Sequence, residues 1–275
     1  EASLASNPIG IIDSGVGGLT VVKEMMRQLP NESIIYMGDT ARCPYGPRTS
    51  EEIKQFTWEM THYLEKFNIK MLIIACNTAT AVALEEIRES LSIPVLGVIN
   101  PGARAAITVS DKYKIGVIGT EMTIRSKAYE NALKMINDEV NVYGLACPKL
   151  VPLVESGVIH GDLAEKIVAK SLYPLQTKNI DTLILGCTHY PILQPVIESY
   201  FNHKVKVISS GEETAREASA ILDHTHMLNK NKHEAPEYKF FTTGSKTIFQ
   251  SIAKQWLQLE ELEVETVKLS KIEYI

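Results

Sequence analysis

Two stretches decide the fold: Met71-Leu-Ile-Ile-Ala-Cys-Asn-Thr78 and Thr182-Leu-Ile-Leu-Gly-Cys-Thr-His189. Each is a short apolar run that ends on a cysteine followed by polar residues. Aligned on Cys76 and Cys187, they lie 111 residues apart. A second pair, Gly10-Ile-Ile-Asp-Ser14 and Gly116-Val-Ile-Gly-Thr120, lies 106 residues apart. Two pairs with nearly the same offset indicate an internal repeat. Runs of this length, apolar at every position, suit strands buried on both faces of a parallel sheet.

Working outward, strands are expected at Ile9–Ile12, Ser33–Met37, Met71–Ile74 and Val95–Val98, with helices after Gly18, Ser50 and Thr78. A second series has strands at Lys114–Ile118, Val140–Leu145, Thr182–Leu185 and Val205–Ile208, with helices after Thr123, Asp162 and Pro191. The tail adds a helix from Gly211 to Leu222, a strand at Tyr238–Thr243, a helix at Lys246–Trp256 and a last strand at Val264–Leu269. Alternating strands and helices argue for an α/β fold. The expectation is two similar parallel-sheet α/β domains related by a pseudo-two-fold axis. Ligands in such sheets sit beyond the carboxyl ends of the strands. Facing the halves therefore puts Cys76 and Cys187 on opposite walls of one cleft.

Composition narrows the function. The chain has 275 residues, 45% hydrophobic and 22% charged, enough apolar material for a core without staples. A formal charge of −5 and no basic stripe count against nucleic-acid binding. The longest apolar stretch, Met71–Leu84, is interrupted by Asn77, Thr78 and Thr80 and falls short of a membrane span. No basic start followed by an apolar block appears at the N-terminus, so no secretory signal is expected. Cys43, Cys76, Cys147 and Cys187 form no Cys-x-x-Cys, which suits a reduced cytosolic enzyme and leaves no zinc ribbon. The histidine-rich loop 224–236 matches no ligand spacing and reads as solvated, so no metal is expected.

Each repeated cysteine ends a strand where a helix is expected to begin. A helix N-terminus favours an anion, so a thiolate there is expected to be stabilised. Free cysteines are also commonly buried apolar groups, the reading kept for Cys43 and Cys147; for Cys76 and Cys187 the matched positions favour function over burial or a disulfide. Two opposed thiols suit proton transfer at a stereocentre: one removes the α-proton from one face while the other supplies a proton to the opposite face. Asp13 and His189 are the candidates to manage those protons, with helix capping the alternative for Asp13. The loop Gly15-Val16-Gly17-Gly18 is not a dinucleotide fingerprint, though its amides suit a carboxylate. Pro44-Tyr45-Gly46 reads as a turn whose tyrosine hydroxyl suits the same ligand.

Ile12-Asp-Ser-Gly-Val-Gly-Gly-Leu-Thr20, Gly38-Asp-Thr-Ala-Arg-Cys-Pro-Tyr-Gly46, Ala75-Cys-Asn-Thr-Ala79 and Gly186-Cys-Thr-His-Tyr-Pro191 together resemble the glutamate racemases. The likeness runs in order from about Ile9 to beyond Ile208. It implies a cofactor-independent isomerase that interconverts L- and D-glutamate in the bacterial cytoplasm, supplies D-glutamate for peptidoglycan and forms a homodimer. It implies Cys76 and Cys187 as the acid/base pair, the first serving D-glutamate and the second L-glutamate, assisted by Asp13, His189 and Glu155. It assigns substrate contacts to Asp13, Ser14, Pro44, Tyr45, Gly46, Cys76, Asn77, Thr78, Thr120, Thr123, Cys187, Thr188 and His189. The domains it implies are 1–97 with 209–275, the C-terminal segment returning to the first domain, and 98–208. Aspartate racemases are the nearest alternative, but these usually carry Glu at the position of His189. A protein-binding role, known for some family members toward DNA gyrase, draws no independent support from the charge pattern.

Overall fold

A computed structural model describes residues 2–269; residue 1 and residues 270–275, which the expected domain division includes, lie outside the described residues. Among the described residues ten strands form two all-parallel sheets: β1 (Ile9–Asp13), β2 (Ile34–Gly38), β3 (Met71–Ile74), β4 (Val95–Leu96), β5 (Lys114–Gly119), β6 (Asn141–Ala146), β7 (Thr182–Gly186), β8 (Lys206–Ser209), β9 (Tyr238–Thr242) and β10 (Val264–Thr266). One sheet runs β10-β9-β2-β1-β3-β4 and the other β6-β5-β7-β8.

The repeat is visible in the strand order. The block β2-β1-β3-β4 has the same connectivity as β6-β5-β7-β8. The register matches too: Gly10 stands opposite Leu72, and Gly116 opposite Leu183. Cys76 and Cys187 each lie four residues beyond that partner, so the repeat delivers both thiols to equivalent points past equivalent strands. At both glycines a side chain would collide with the isoleucine packed over the strand, Ile69 or Ile180. β1, β2, β3 and β7 are buried along their whole length, as their apolar runs imply. β6 and β8, at the edges of the smaller sheet, are only partly covered. The strands β9 and β10 extend the larger sheet beyond β2.

The helices follow the sequence with informative exceptions. The strand expected at Val95–Val98 stops at Leu96, and a helix, Ile99–Val109, follows that the sequence reading missed. Its Asn-Pro-Gly start looks like a turn. Pro101, however, sits in the first turn, where its missing N–H costs nothing, and Gly102 makes room for Ser210, whose hydroxyl would collide with any side chain there. The helix expected after Thr123 begins at Glu121 instead, capped by Thr120, whose hydroxyl accepts the Thr123 amide at 3.3 Å. The helix after Pro191 is preceded by a 3₁₀ turn, Tyr190–Leu193, and the last strand ends at Thr266 rather than Leu269. Among the described residues no helix is long and apolar enough to cross a membrane.

Candidate active site

The carboxyl ends of the two sheets face each other around one cavity. It is lined by Ser14, Cys43, Pro44, Tyr45, Gly46, Cys76, Asn77, Thr78, Thr120, Val151, Gly186, Cys187, Thr188 and His189. Both repeated cysteines therefore meet one space, with Cys76 5% and Cys187 7% exposed. About 20 Å³ is open to the centre of a water-sized sphere, room for about one water. An amino acid enters only if the facing walls part.

Those walls touch directly. Thr78 shares hydrogen bonds with Thr120 at 2.8 Å and Thr123 at 3.2 Å, and the Thr20 hydroxyl donates to the Thr188 carbonyl at 3.0 Å. Gly17 brings bare backbone against Thr188 and His189: a Cβ there would stand 2.6 Å from His189 Nδ1. This close approach explains the Gly-Val-Gly-Gly loop better than anion binding does. The amides of Gly15 and Gly18 are already spent on Asp13 Oδ2, at 3.0 and 2.9 Å.

Asp13 thus stands partly in the capping role, since Gly18 opens the helix Leu19–Gln28. It is fully buried, does not line the cavity, and makes no hydrogen bond to Cys76 among the described residues. Burial raises its pKa above the ordinary carboxylate value, against the pull of the Gly18 amide and the His189 charge. Among the described residues its Oδ1 has no hydrogen-bond partner. Asp13 acts on Cys76 through its charge rather than through a hydrogen bond.

The two thiols differ in surroundings. Cys76 is the N-cap of the helix Asn77–Ser90, and its Sγ accepts the Ala79 amide at 3.4 Å. The helix N-terminus was expected to lower its pKa. Burial and the nearby Asp13 carboxylate outweigh that, and the thiol is pushed up to about 12. Cys187 leads into the 3₁₀ turn rather than a helix, so the helix argument does not apply to it. Its partner is instead His189, whose Nδ1 lies 3.9 Å from Sγ while Nε2 meets Glu155 Oε1 at 3.0 Å. Burial alone would lower the His189 pKa; the bonds to Cys187 and Glu155 reverse this and raise it to about 10. An imidazolium beside the sulfur is the counter-charge a thiolate needs.

Other expected contacts divide. Ser14, Pro44, Gly46, Asn77, Thr78, Thr120, Thr188 and His189 line the cavity, while Thr123 is buried behind Thr78. The Tyr45 hydroxyl, expected to meet a ligand carboxylate, is spent on Asp39 at 2.5 Å. Asp39 also holds Arg42 at 2.7 Å and Thr243 at 2.7 Å, and Arg42 reaches Glu59 at 3.0 Å while stacking on Phe56. These contacts brace the wall 43–46 from beneath and tie it to the end of β9. Cys43, Val151 and Gly186 line the cavity although the sequence reading did not place them there. Cys43 and Gly186 lay inside quoted motifs, the available signal; Val151 had none.

Comparison with known proteins agrees with this geometry. Residues 9–218 match the family model described as Asp/Glu/Hydantoin racemase. The chain is 58% identical over 263 residues to a glutamate racemase of Listeria innocua, covering 96% of this chain and 98% of that protein. A glutamate racemase isoform from Bacillus anthracis superposes with a TM-score of 0.92 at 50% identity, over 96% of this chain and 98% of that one. The glutamate racemase of Francisella tularensis, solved with D-glutamate, gives 0.90 at 37% identity, over 98% and 100%.

Proposed function

The chain belongs to the Asp/Glu/hydantoin racemase family and interconverts L- and D-glutamate, and from that premise we propose that Cys76 and Cys187 carry the proton transfer from opposite walls of the cavity. The observation that supports this most directly is their equivalent register beyond β3 and β7 around one cavity. For L-glutamate, the Cys187 thiolate takes the α-proton and the Cys76 thiol gives its own proton to the opposite face. The product is D-glutamate, and the protonation states of the two sulfurs are exchanged. The reverse reaction runs from Cys76 to Cys187. The resting state suits the first direction: Cys76 is held as a thiol, while His189, supported by Glu155, stands beside Cys187.

Asn77, Thr78 and Thr188 supply amide and hydroxyl donors around the same space, which suits an anionic substrate. Asp13 acts on Cys76 by charge and shapes the loop carrying Ser14 and Gly17. Closure of the walls excludes water from the carbanion-like intermediate. Supply of D-glutamate for peptidoglycan, a cytoplasmic location and a homodimer belong to the same proposal. So does the division at residues 97 and 209, supported by β9 and β10 joining the larger sheet.

The reading is tested by circular dichroism of L-glutamate incubated with purified protein. The signal should decay to zero as the enantiomers equalise, with no cofactor added. Protein dialysed against a chelator should retain full activity. Loss on dialysis with recovery on adding pyridoxal phosphate or a metal ion would reject the cofactor-independent mechanism.

A further inference from the structure

Tyr129 lies outside every motif that marks the site, yet it is buried against the residue beside each thiol. It is carried by the helix Ala128–Ile136 and is 2% exposed. One edge of its ring lies along Gly102 and the other along Gly186, which immediately precedes Cys187. A Cβ at Gly186 would stand 3.1 Å from the ring, and one at Gly102 3.5 Å. Two glycines thus form the slot that holds the ring. The hydroxyl donates to Oδ1 of Asn77, the residue following Cys76. With its single proton committed there, it accepts from the Ser210 hydroxyl at 2.9 Å. Burial pushes the phenol pKa up, so the proton stays in place across the working range.

An asparagine amide has two faces of opposite character, an acceptor oxygen and a donor NH₂. Fixing the oxygen fixes the NH₂. Among the described residues no hydrogen bond takes up the Asn77 NH₂, and Asn77 lines the cavity. We propose that Tyr129 is a positioning residue: by holding Asn77 Oδ1 from behind the cavity lining, it presents the Asn77 NH₂ to a substrate carboxylate. This rests on the reading above that Asn77 contacts substrate. Tyr129 lies on a helix between strands of the smaller sheet and Asn77 on one between strands of the larger, so the bond joins the two halves and ties substrate grip to their closure.

The test is a double-mutant cycle between Tyr129→Phe and Asn77→Ala, with KM and kcat measured in both directions. Tyr129→Phe keeps the ring and its slot, so the melting temperature should stay close to the parent. Without the hydroxyl the amide is free to turn. KM for both enantiomers should rise about 3–10-fold, as expected for one lost hydrogen bond, with kcat changing less than about twofold. Asn77→Ala should raise KM by itself, and adding Tyr129→Phe to it should raise KM no further. Should Tyr129→Phe fail to fold, Ser210→Ala, which removes the second bond to the hydroxyl, should give a smaller KM rise that also vanishes without the Asn77 side chain. An unchanged KM in Tyr129→Phe overturns the proposal. So does a rise of equal size with and without the Asn77 side chain, since the hydroxyl would then act on the fold alone. An unchanged KM in Asn77→Ala overturns the earlier reading of the site instead, and the two failures are told apart by which single variant is silent.

Discussion

Cys76→Ala and Cys187→Ala should each reduce racemisation by at least 10²–10⁴-fold, the range attributed to a positioned general acid or base. The loss should be severe in both directions for either variant, because every turnover needs a donor on one face and an acceptor on the other. Neither substitution removes much buried volume, so both proteins should remain folded by near-ultraviolet circular dichroism. Cys147→Ala is the control. That thiol is buried in the apolar cluster that also holds Leu150 and Tyr190 and does not line the cavity, so its removal should change the rate by only a few-fold. Rates near the parent in either Cys76→Ala or Cys187→Ala, in protein free of the host's own enzyme, would remove the two-thiol mechanism.

His189→Asn should cost about 10–100-fold, the scale seen at metal sites when the partner that orients a ligand is lost. The ring does not itself take the α-proton. It supplies the charge beside Cys187 and is held by Glu155, so its loss should weigh on removal of the proton from L-glutamate. The equilibrium between enantiomers stays at one to one. The asymmetry must therefore appear in the primary isotope effect, which should grow in the L-to-D direction and change less in the other. Glu155, 42% exposed, should matter less than His189, and Glu155→Gln should fall between parent and His189→Asn. The same pair predicts a stability signature. The His189 pKa is raised from 6.5 to about 10 on folding. A raised pKa contributes stability that is full below the unfolded value and is lost as pH rises through the folded one. The melting temperature of the parent should therefore exceed that of His189→Asn most below about pH 6.5, and the gap should close toward pH 10. A gap that widens with pH would mean the histidine is neutral in the folded protein.

The repeated strands were legible because period and offset are local and physical. Apolar runs ending in Cys76 and Cys187 report burial on both faces, and a shared offset reports shared topology. The pairing of His189 with Glu155, 34 residues away in sequence, came from family likeness rather than from any spacing rule, and the structure gives it a distance. At Cys76 the helix N-terminus is outweighed: one amide contact to the sulfur does not offset burial beside a carboxylate. Tyr45 lines the cavity as expected, but its hydroxyl is turned elsewhere. A hydroxyl in a turn looks available until the chain folds Asp39 beneath it, six residues away. Tyr129, Val151 and the helix at Ile99–Val109 carried no local signal, because each depends on what packs against it from elsewhere in the chain.

The most direct test of two thiols acting from opposite faces is racemisation of L-glutamate in D₂O, followed at early conversion by mass spectrometry of the separated enantiomers. The donor on the far face exchanges with solvent, whereas the abstracted proton resides on the other sulfur. D-Glutamate formed should carry deuterium at the α-carbon, while the remaining L-glutamate stays protiated. If the remaining L-glutamate is as deuterated as the product, one base is serving both faces and the paired-cysteine account is wrong.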